Sequence, residues 1–277
     1  MVKHEEEQTP LFSIQAGVPQ GSVLGPVLYT LYTADQPITE QTTTATYADD
    51  TAALASHEDP AIASKNLQTH LDKLQIWFKK WRIKVNEKKS VHVPFTMRKQ
   101  TCPSVFLNNE PLPQSDHAKY LGMHLDRKLN WKKCILTKRT QLDLKFRKLY
   151  WIIGRQSNLS MENKLLLYKS ILKPVWTYGI QLWGSAAKSN IDIIQRFQSK
   201  ILRCITGAPW YVPNNVIQRD LHMVSVKEEI SKYSVKYHNR LSHHPNKLAM
   251  NLLNTEADVR RLGRFHPTDV PKRFSNP

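Results

Sequence analysis

Residues 42–54 of the chain have the sequence TTTATYADDTAAL, in which two stretches rich in Thr and Ala flank the pair Asp49-Asp50. Short β-capable segments separated by polar residues are typical of a tight hairpin, so we expect both carboxylates at its tip. Oxygen ligands so close together suit Mg²⁺, which binds one or two carboxylates together with water and phosphate oxygens. The alternative is that both aspartates are solvated turn residues.

A second feature lies upstream, where residues 16–26 have the sequence AGVPQGSVLGP. The glycines on both sides of Pro19-Gln20 allow the backbone to approach a ligand closely, and the Gln20 amide can both donate and accept hydrogen bonds. The apolar run 23–32 predicts a buried helix opened by Pro26. The alternative for this segment is an ordinary loop that enters a helix.

The pattern further downstream predicts an α+β fold. Asp59-Pro60 is a helix start, and the apolar residues that follow it repeat at helical spacing. Short strands are predicted at 90–95, 105–107 and 119–125. From residue 130 onward the chain is predicted to be helical, with one helix opened by Ser160 and interrupted by Pro174, and another that begins at Ser189 or Asn190 and ends at Gly207.

The composition restricts the class of protein. The 277 residues include 40 Lys and Arg against 23 Asp and Glu, a net charge of +17. A charge of this size favours a polyanionic partner such as nucleic acid, although a generically basic protein is the alternative. Three separated cysteines form neither a disulfide framework nor a zinc motif, and no apolar run could span a bilayer or act as a secretion signal. We therefore expect a reduced, intracellular protein without a membrane partner.

Basic residues crowd the segment 127–148, which also contains Trp131 and a single acid, Asp143. Cations on helices beside an aromatic residue suit sequence-independent contact with phosphates, and an ordinary solvated helix face is the alternative. The candidates for phosphate contact are Arg127, Lys128, Lys132, Lys133, Lys138 and Arg139, continued by Lys145, Arg147 and Lys148. Four other tryptophans, Trp151, Trp176, Trp183 and Trp210, are predicted to be core or packing residues.

The Pro-Gln-Gly loop and the Tyr47-Ala48-Asp49-Asp50 motif, in this order, resemble the reverse transcriptases of non-LTR retrotransposons of the jockey-like lineage. The resemblance continues through WRIKVNEKKS at 81–90, KYLGMHLD at 119–126, LYKSILKP at 167–174 and YGIQLWG at 178–184. It covers roughly residues 11 to 230.

This resemblance implies an incomplete polymerase palm followed by an all-helical thumb and connection region. It implies an RNA-directed DNA polymerase, a nucleotidyltransferase that acts on an RNA template, a DNA primer and deoxynucleoside triphosphates with Mg²⁺ or Mn²⁺. Asp49 and Asp50 would be catalytic metal ligands in two-metal phosphoryl transfer. Lys89, or its neighbour Lys88, would lie near the incoming phosphates. Tyr47, Pro19, Gln20 and Gly21 would line the nucleotide and template pocket. The family also implies a ribonucleoprotein of the nucleus or cytoplasm.

One departure from the family pattern affects the expected activity. The family carries another metal-binding aspartate upstream of the Pro-Gln-Gly loop, and none of the 16 residues before Gly17 is Asp. Asp35 and Asp59 are the nearest downstream carboxylates, and neither matches that motif. We therefore expect the chain to lack the fingers and to be inactive alone, because the metal ions would be poorly held.

The predicted domains are a partial palm at 1–128, a helical thumb and connection region at 129–254, and a flexible tail at 255–277. Three hypotheses of function remain open at this point. The chain is part of a polymerase, or a non-catalytic relic that binds nucleic acid, or the product of a degenerate element without function. The sequence gives no indication of the oligomeric state.

Overall fold

The computed structural model of the chain describes residues 3–4, 7–8, 17–18, 21–98, 102–253, 262 and 265–270. Short antiparallel strand pairs and many helices confirm the α+β class. The strands are β1 (Lys3–His4), β2 (Glu7–Gln8), β3 (Thr42–Tyr47), β4 (Asp50–Ala55), β5 (Phe106–Leu107), β6 (Glu110–Pro111), β7 (His117–Tyr120) and β8 (Met123–Asp126). The α-helices are α1 (Leu24–Tyr32), α2 (Pro60–Lys80), α3 (Lys132–Ile153), α4 (Met161–Leu167), α5 (Lys173–Thr177), α6 (Ile180–Trp183), α7 (Lys188–Thr206), α8 (Asn214–Asp220), α9 (Val226–Ser242) and α10 (Lys247–Asn251).

The chain divides into two compact units. The first is drawn from Met1–Ser90 and Cys102–Leu112, and the second from Val91–Thr101 and Pro113–Pro277. The β7–β8 hairpin therefore belongs to the same unit as the helices that follow it. The separate division into palm and thumb at residue 128 concerns function and stays a prediction. None of the helices that the structure describes is long and apolar enough to cross a membrane.

The long helix α2 organises the first unit. Asp59 caps its start by accepting the Ala61 N–H at 2.9 Å, and Pro60 occupies the first turn, as predicted. Its apolar side packs Leu67 and Leu71 against a small core of Val105, Leu107 and Leu112. The β3–β4 hairpin also contacts α2.

Hydroxyl groups of the hairpin region hold a buried histidine of α2. His70 is fully buried, with its Nδ1 3.0 Å from Thr39 Oγ1 and its Nε2 3.0 Å from Thr44 Oγ1. Burial and then the charge of Lys73 lower the pKa of His70. Two hydroxyl partners satisfy both ring nitrogens of the neutral imidazole.

Two predictions about the first 98 residues need correction. The helix at 23–32 forms as α1, but none of its residues is buried, and Leu24 is 63% exposed. No described element covers its apolar face, so the expected burial is wrong. The strand predicted at 90–95 is reduced to one parallel bridge between His92 and Gln114, because the chain on either side finds no ladder partner among the described residues.

The second unit begins with the β7–β8 hairpin and the start of α3. The strand predicted at 119–125 is in fact a pair of short strands that turn at Leu121-Gly122. The Asp126 carboxylate accepts the backbone N–H groups of Asn130 at 3.0 Å and Trp131 at 2.8 Å. This carboxylate therefore satisfies free donors at the entry to α3.

The predicted interruption at Pro174 takes the form of a π-helical turn. Ser160 caps α4 by accepting the Asn163 N–H, and residues Tyr168–Leu172 form the π turn before α5 continues the helix. Proline has no N–H and cannot complete the regular ladder, and π turns are a common way for a helix to absorb such a break.

The helix α7 supplies the centre of the second core. Its predicted stripe, Ile191, Ile194, Phe197, Ile201 and Ile205, is buried, and Gly207 ends the helix with a φ of 66°. Trp176 and Trp183 are fully buried in the same core, as predicted. Trp151 and Trp210 are 76% and 88% exposed, so the prediction that they belong to the core is wrong.

Part of the predicted tail is packed. Val270 is fully buried in the core of the second unit, next to a 3₁₀ turn at Pro267–Asp269 that contacts α9. A buried apolar side chain anchors the chain at this point. Most of the remaining tail residues lie outside the part of the chain that the structure describes.

Candidate functional site

The aspartate pair lies at the tip of the β3–β4 hairpin, as predicted. Tyr47 and Asp50 are the last paired residues, so Ala48 and Asp49 form the two-residue turn. Ala48 adopts a φ of 51°, the left-handed conformation that such turns require. Both carboxylates are exposed, and the Tyr47 ring beside them is 66% exposed. The tip thus presents two adjacent oxygen donors to solvent.

Helix α1 is tied to this tip. The Tyr29 hydroxyl donates a hydrogen bond of 2.5 Å to the carbonyl oxygen of Ala48. Burial, followed by the charge of Asp49, raises the pKa of the Tyr29 phenol. The helix that follows the Gly-Pro loop therefore positions the turn that carries Asp49.

Asp35 and Asp59, the nearest aspartates that follow the Pro-Gln-Gly loop outside the hairpin tip, make other contacts. Asp35 accepts hydrogen bonds from the indole N–H groups of Trp77 at 2.7 Å and Trp81 at 3.1 Å, and from Lys80 at 3.1 Å. The Trp77 hydrogen bond is the main reason why the pKa of Asp35 is lowered. Asp59 caps α2. Among the described residues, no cluster of three or more His, Cys, Asp or Glu side chains could hold a metal.

The other predicted pocket residues are only partly described. Gly21 has a φ of 83° and is exposed, and a side chain there would meet no atom within 4 Å. Pro19 and Gln20 lie outside the described residues. Lys88 and Lys89 are exposed on the short 3₁₀ turn Glu87–Lys89, which Asn86 caps by accepting the Lys89 N–H. Their roles near nucleotide phosphates stay predictions.

Helix α3 displays a basic face. Each helical residue advances by about 100°, and this places Lys133, Leu144, Arg147, Lys148 and Trp151 within one side of the helix. All five are exposed. The face extends over 18 residues from Lys133 to Trp151, or about 27 Å. The three cations lie toward the two ends of this length, where they suit contact with the phosphates of a nucleic-acid backbone.

Two predicted phosphate contacts need correction, because Lys138 and Arg139 lie on the opposite side of α3. Lys138 is only 6% exposed, its Nζ donates to the Val175 carbonyl at 3.2 Å, and burial lowers its pKa. Arg139 forms a bidentate pair with Asp143, at 2.8 and 3.1 Å, and its guanidinium lies over the Phe197 ring. Both cations therefore serve the fold of the second unit.

The remaining candidates of this segment differ in exposure. Lys128, Lys132 and Lys133 are exposed. Arg127 is half-buried and donates to the Arg98 carbonyl, with Asp116 3.7 Å from its guanidinium. These contacts restrict Arg127, and the role of all four in phosphate contact stays a prediction.

The sequence analysis missed a shallow groove in the first unit. Its volume is about 330 Å³, and it is lined by Gln75, Phe78, Lys79, Arg82, Ile83, Lys84, Val85 and Asn108. Three of these residues are cations and none is an acid, so the groove favours anions. Alternation of exposed cations with half-buried apolar residues along 82–85 was the available signal.

Comparison with known proteins agrees with these motifs. A family model described as reverse transcriptase (RNA-dependent DNA polymerase) matches residues 2–125, which include the hairpin tip. The chain is 42% identical over 266 residues to a probable RNA-directed DNA polymerase from transposon X-element of Drosophila melanogaster. It is 40% identical over 275 residues to the RNA-directed DNA polymerase from mobile element jockey of the same species. Residues 2–125 of the chain belong to the reverse transcriptase family.

The chain corresponds to a part of these relatives. The matches cover 94% and 93% of the chain but only 29% and 30% of the two Drosophila melanogaster proteins. A jockey polymerase of Drosophila funebris, 38% identical, shows the same proportions. No solved structure matches the chain significantly. The relatives match across both units, so α3 and its basic face lie within the shared region.

Proposed function

We propose that the chain is the palm and thumb part of an RNA-directed DNA polymerase. The observation that carries this proposal is the exposed pair Asp49-Asp50 at the tip of the β3–β4 hairpin, within the residues that match the reverse transcriptase family. In this proposal the pair contributes metal-binding carboxylates, and α3 contacts the phosphates of the template and primer. Template RNA, primer DNA and deoxynucleoside triphosphates are the substrates.

The donor set at the tip fits Mg²⁺. Exposed carboxylate oxygens are the ligands that this ion takes, and it fills its remaining positions with water and substrate phosphates. When bound, such ions activate the attacking hydroxyl and stabilise the leaving oxygen. Asp49 and Asp50 would hold the metal, the Tyr29–Ala48 hydrogen bond would orient the turn, and Tyr47 would lie beside the primer end.

We also propose that the described part of the chain does not polymerise by itself. No third acidic side chain joins Asp49 and Asp50 within it. Reactants misplaced by about 1 Å can cost a hundredfold in rate, so ions held by an incomplete ligand set would react slowly. A nucleic-acid-binding role without chemistry is the second candidate function, and the exposed basic face of α3 favours it.

Primer extension on an RNA template with Mg²⁺ tests the catalytic proposal. We expect no extension by the native chain or by Asp49→Asn/Asp50→Asn. A separate titration with Mn²⁺ measures metal binding, which the native chain should show and the variant should lose. Extension by the native chain alone would overturn the proposed inactivity. Failure of the native chain to bind Mn²⁺ would overturn the assignment of Asp49 and Asp50 as ligands.

Duplex binding across a salt series tests the proposed contact between α3 and the phosphates. The variant Lys133→Ala/Arg147→Ala/Lys148→Ala should bind an RNA–DNA duplex more weakly, and its salt slope should fall by up to about three. The matched control Lys227→Ala/Lys232→Ala/Lys236→Ala removes the same charge from exposed positions of α9. Equal losses in both variants would show that only net charge matters.

A further inference from the structure

Trp210 and Tyr211 occupy an unusual place for large aromatic side chains. The Val212 N–H donates to the Pro209 carbonyl at 3.2 Å, so Trp210 and Tyr211 are the two corner residues of a tight turn. Such corners usually carry Gly, Pro, Asn, Asp or Ser. Trp210 is 88% exposed and Tyr211 is 68% exposed. Neither ring is part of the buried core of its unit, so the core does not account for them.

The turn is held in place by Arg203 of α7. One guanidinium nitrogen of Arg203 donates to the Pro209 carbonyl, and the other donates to the Val212 carbonyl at 2.7 Å and to the Asn214 side chain at 2.8 Å. Both carbonyls that flank the aromatic pair are therefore fixed to α7. The two rings are presented from a braced turn, and this lowers the entropy cost of using them in binding.

The rings also keep their faces available. Their centroids are 6.0 Å apart and their planes are at 80°, an edge-to-face arrangement. In this geometry one ring directs an edge at its neighbour, and the solvent exposure of both rings leaves flat surface open. A flat apolar surface at a fixed position matches the face of a nucleobase, and stacking on it requires no particular base.

The sequence on both sides of the turn carries an excess of positive charge. Residues 193–219 contain four cations, Arg196, Lys200, Arg203 and Arg219, and no Asp or Glu. Arg219 is exposed and lies 3.3 Å from Asp220, the first acid after this segment. Flat apolar faces together with an excess of positive charge complement a strand whose bases are unpaired and whose backbone is anionic. A duplex hides those base faces.

We propose that Trp210 and Tyr211 form a stacking platform for unpaired bases of a single-stranded nucleic acid. The platform lies in the second unit, on a turn distinct from the basic face of α3. The proposal rests on the proposed function only in taking nucleic acid as the partner, since it requires no polymerisation. It assigns the unpaired part of a template or transcript to this turn and the paired part to α3.

Two fluorescently labelled strands of equal length and charge test the platform: a 12-residue oligouridylate and a 12-residue abasic strand. Trp210→Ala/Tyr211→Ala should bind the oligouridylate about tenfold more weakly or worse, and the abasic strand unchanged. Trp210→Phe should retain most of the affinity because it keeps an aromatic face. Leu248→Ala, at a 76% exposed apolar position of α10, is the matched control and should bind like the native chain.

Three results would overturn the proposal. The first is an equal loss on both strands, which would indicate a loss of folding or of charge contacts. The second is unchanged binding of the oligouridylate. The third is a native dimer in sedimentation that Trp210→Ala converts to monomer, which would assign the rings to a second copy. In the second case the α3 variant would still bind the duplex more weakly than the native chain. The platform would then be rejected, and the proposed function would stand.

Discussion

The hydroxyl of Tyr29 donates a hydrogen bond to the carbonyl oxygen of Ala48, across 19 positions of sequence. This bond joins the helix that follows the glycine-rich loop to the turn between the two strands. It therefore links the glycine-rich loop and the Asp49-Asp50 hairpin, two motifs that are separate in the sequence. Asp49 is the residue next to the accepting carbonyl, so this hydrogen bond connects α1 to a proposed metal ligand.

Tyr29→Phe should loosen the hairpin tip while leaving the rest of the first unit folded. One lost hydrogen bond costs about 1 kcal/mol, which corresponds to about a fivefold increase in local opening. Hydrogen exchange of the amides at 46–51 measures this directly. Tyr32→Phe, which removes a hydrogen bond to the Trp81 carbonyl instead, is the control and should leave the tip unchanged.

Lys138→Ala and Lys133→Ala should have opposite consequences. Lys138 is buried, so its loss leaves a cavity and an unpaired Val175 carbonyl, and stability should fall by about 2 kcal/mol with duplex affinity retained. Lys133 is exposed, so its loss should weaken duplex binding and barely change stability. Urea denaturation and binding titrations on both variants provide the comparison. Weaker duplex binding by folded Lys138→Ala would contradict the assignment.

Stability should fall as the pH drops below about 6.5, the ordinary pKa of histidine. The pKa of His70 is lowered in the folded chain, so below pH 6.5 the unfolded state binds the proton more readily. The loss continues until the pH reaches the folded pKa and then levels off. Burial also lowers the pKa of His92 and His124, so His70→Gln should reduce the pH dependence without abolishing it. Urea midpoints at pH 7.5 and 5.5 measure the difference. A variant with the native pH dependence would exclude His70 as a contributor.

Lys173→Met should destabilise the second unit strongly. Glu229 is 3% exposed, its Oε1 lies 2.9 Å from the Lys173 ammonium, and its Oε2 has no hydrogen-bond partner among the described residues. Removal of the lysine leaves a buried charge unpaired, at a cost of about 3 kcal/mol. Lys80→Met, which breaks the exposed pair with Asp35, should cost much less. Comparable urea midpoints for the two variants would show that burial does not govern the Glu229 pair.

The sequence was a good guide where a pattern is local. Asp59-Pro60 and the stripe of α7 specify helices through capping and periodicity, and the Asp49-Asp50 hairpin follows from its turn. The strand expected at 90–95 did not form, because a strand also needs a partner that the local pattern does not supply. The exposure of α1 has the same cause, because an apolar run in the sequence does not specify which other element packs against it.

The basic segment shows a different kind of error. Composition alone grouped Lys138 and Arg139 with Lys133, although the helical angle places them on opposite sides of α3. That angle was available from the sequence, whereas the exposure of Trp210 was not. A tryptophan at a turn corner is exposed because the backbone directs it outward, and only the fold reveals that geometry.

The π turn at Tyr168–Leu172 has a consequence for the length of the chain. A π turn holds more residues than a regular α-turn, so the segment before Pro174 behaves like a helix with an inserted residue. Deletion of a single residue there would restore regular hydrogen bonding, and the residues beyond it would keep their direction because the π turn absorbs the extra residue locally. Trp176, now fully buried, would then stay in the core. This helix can therefore lose one residue before Pro174 without displacing the core, whereas a deletion from the regular part of α7 would rotate the residues beyond it by about 100°.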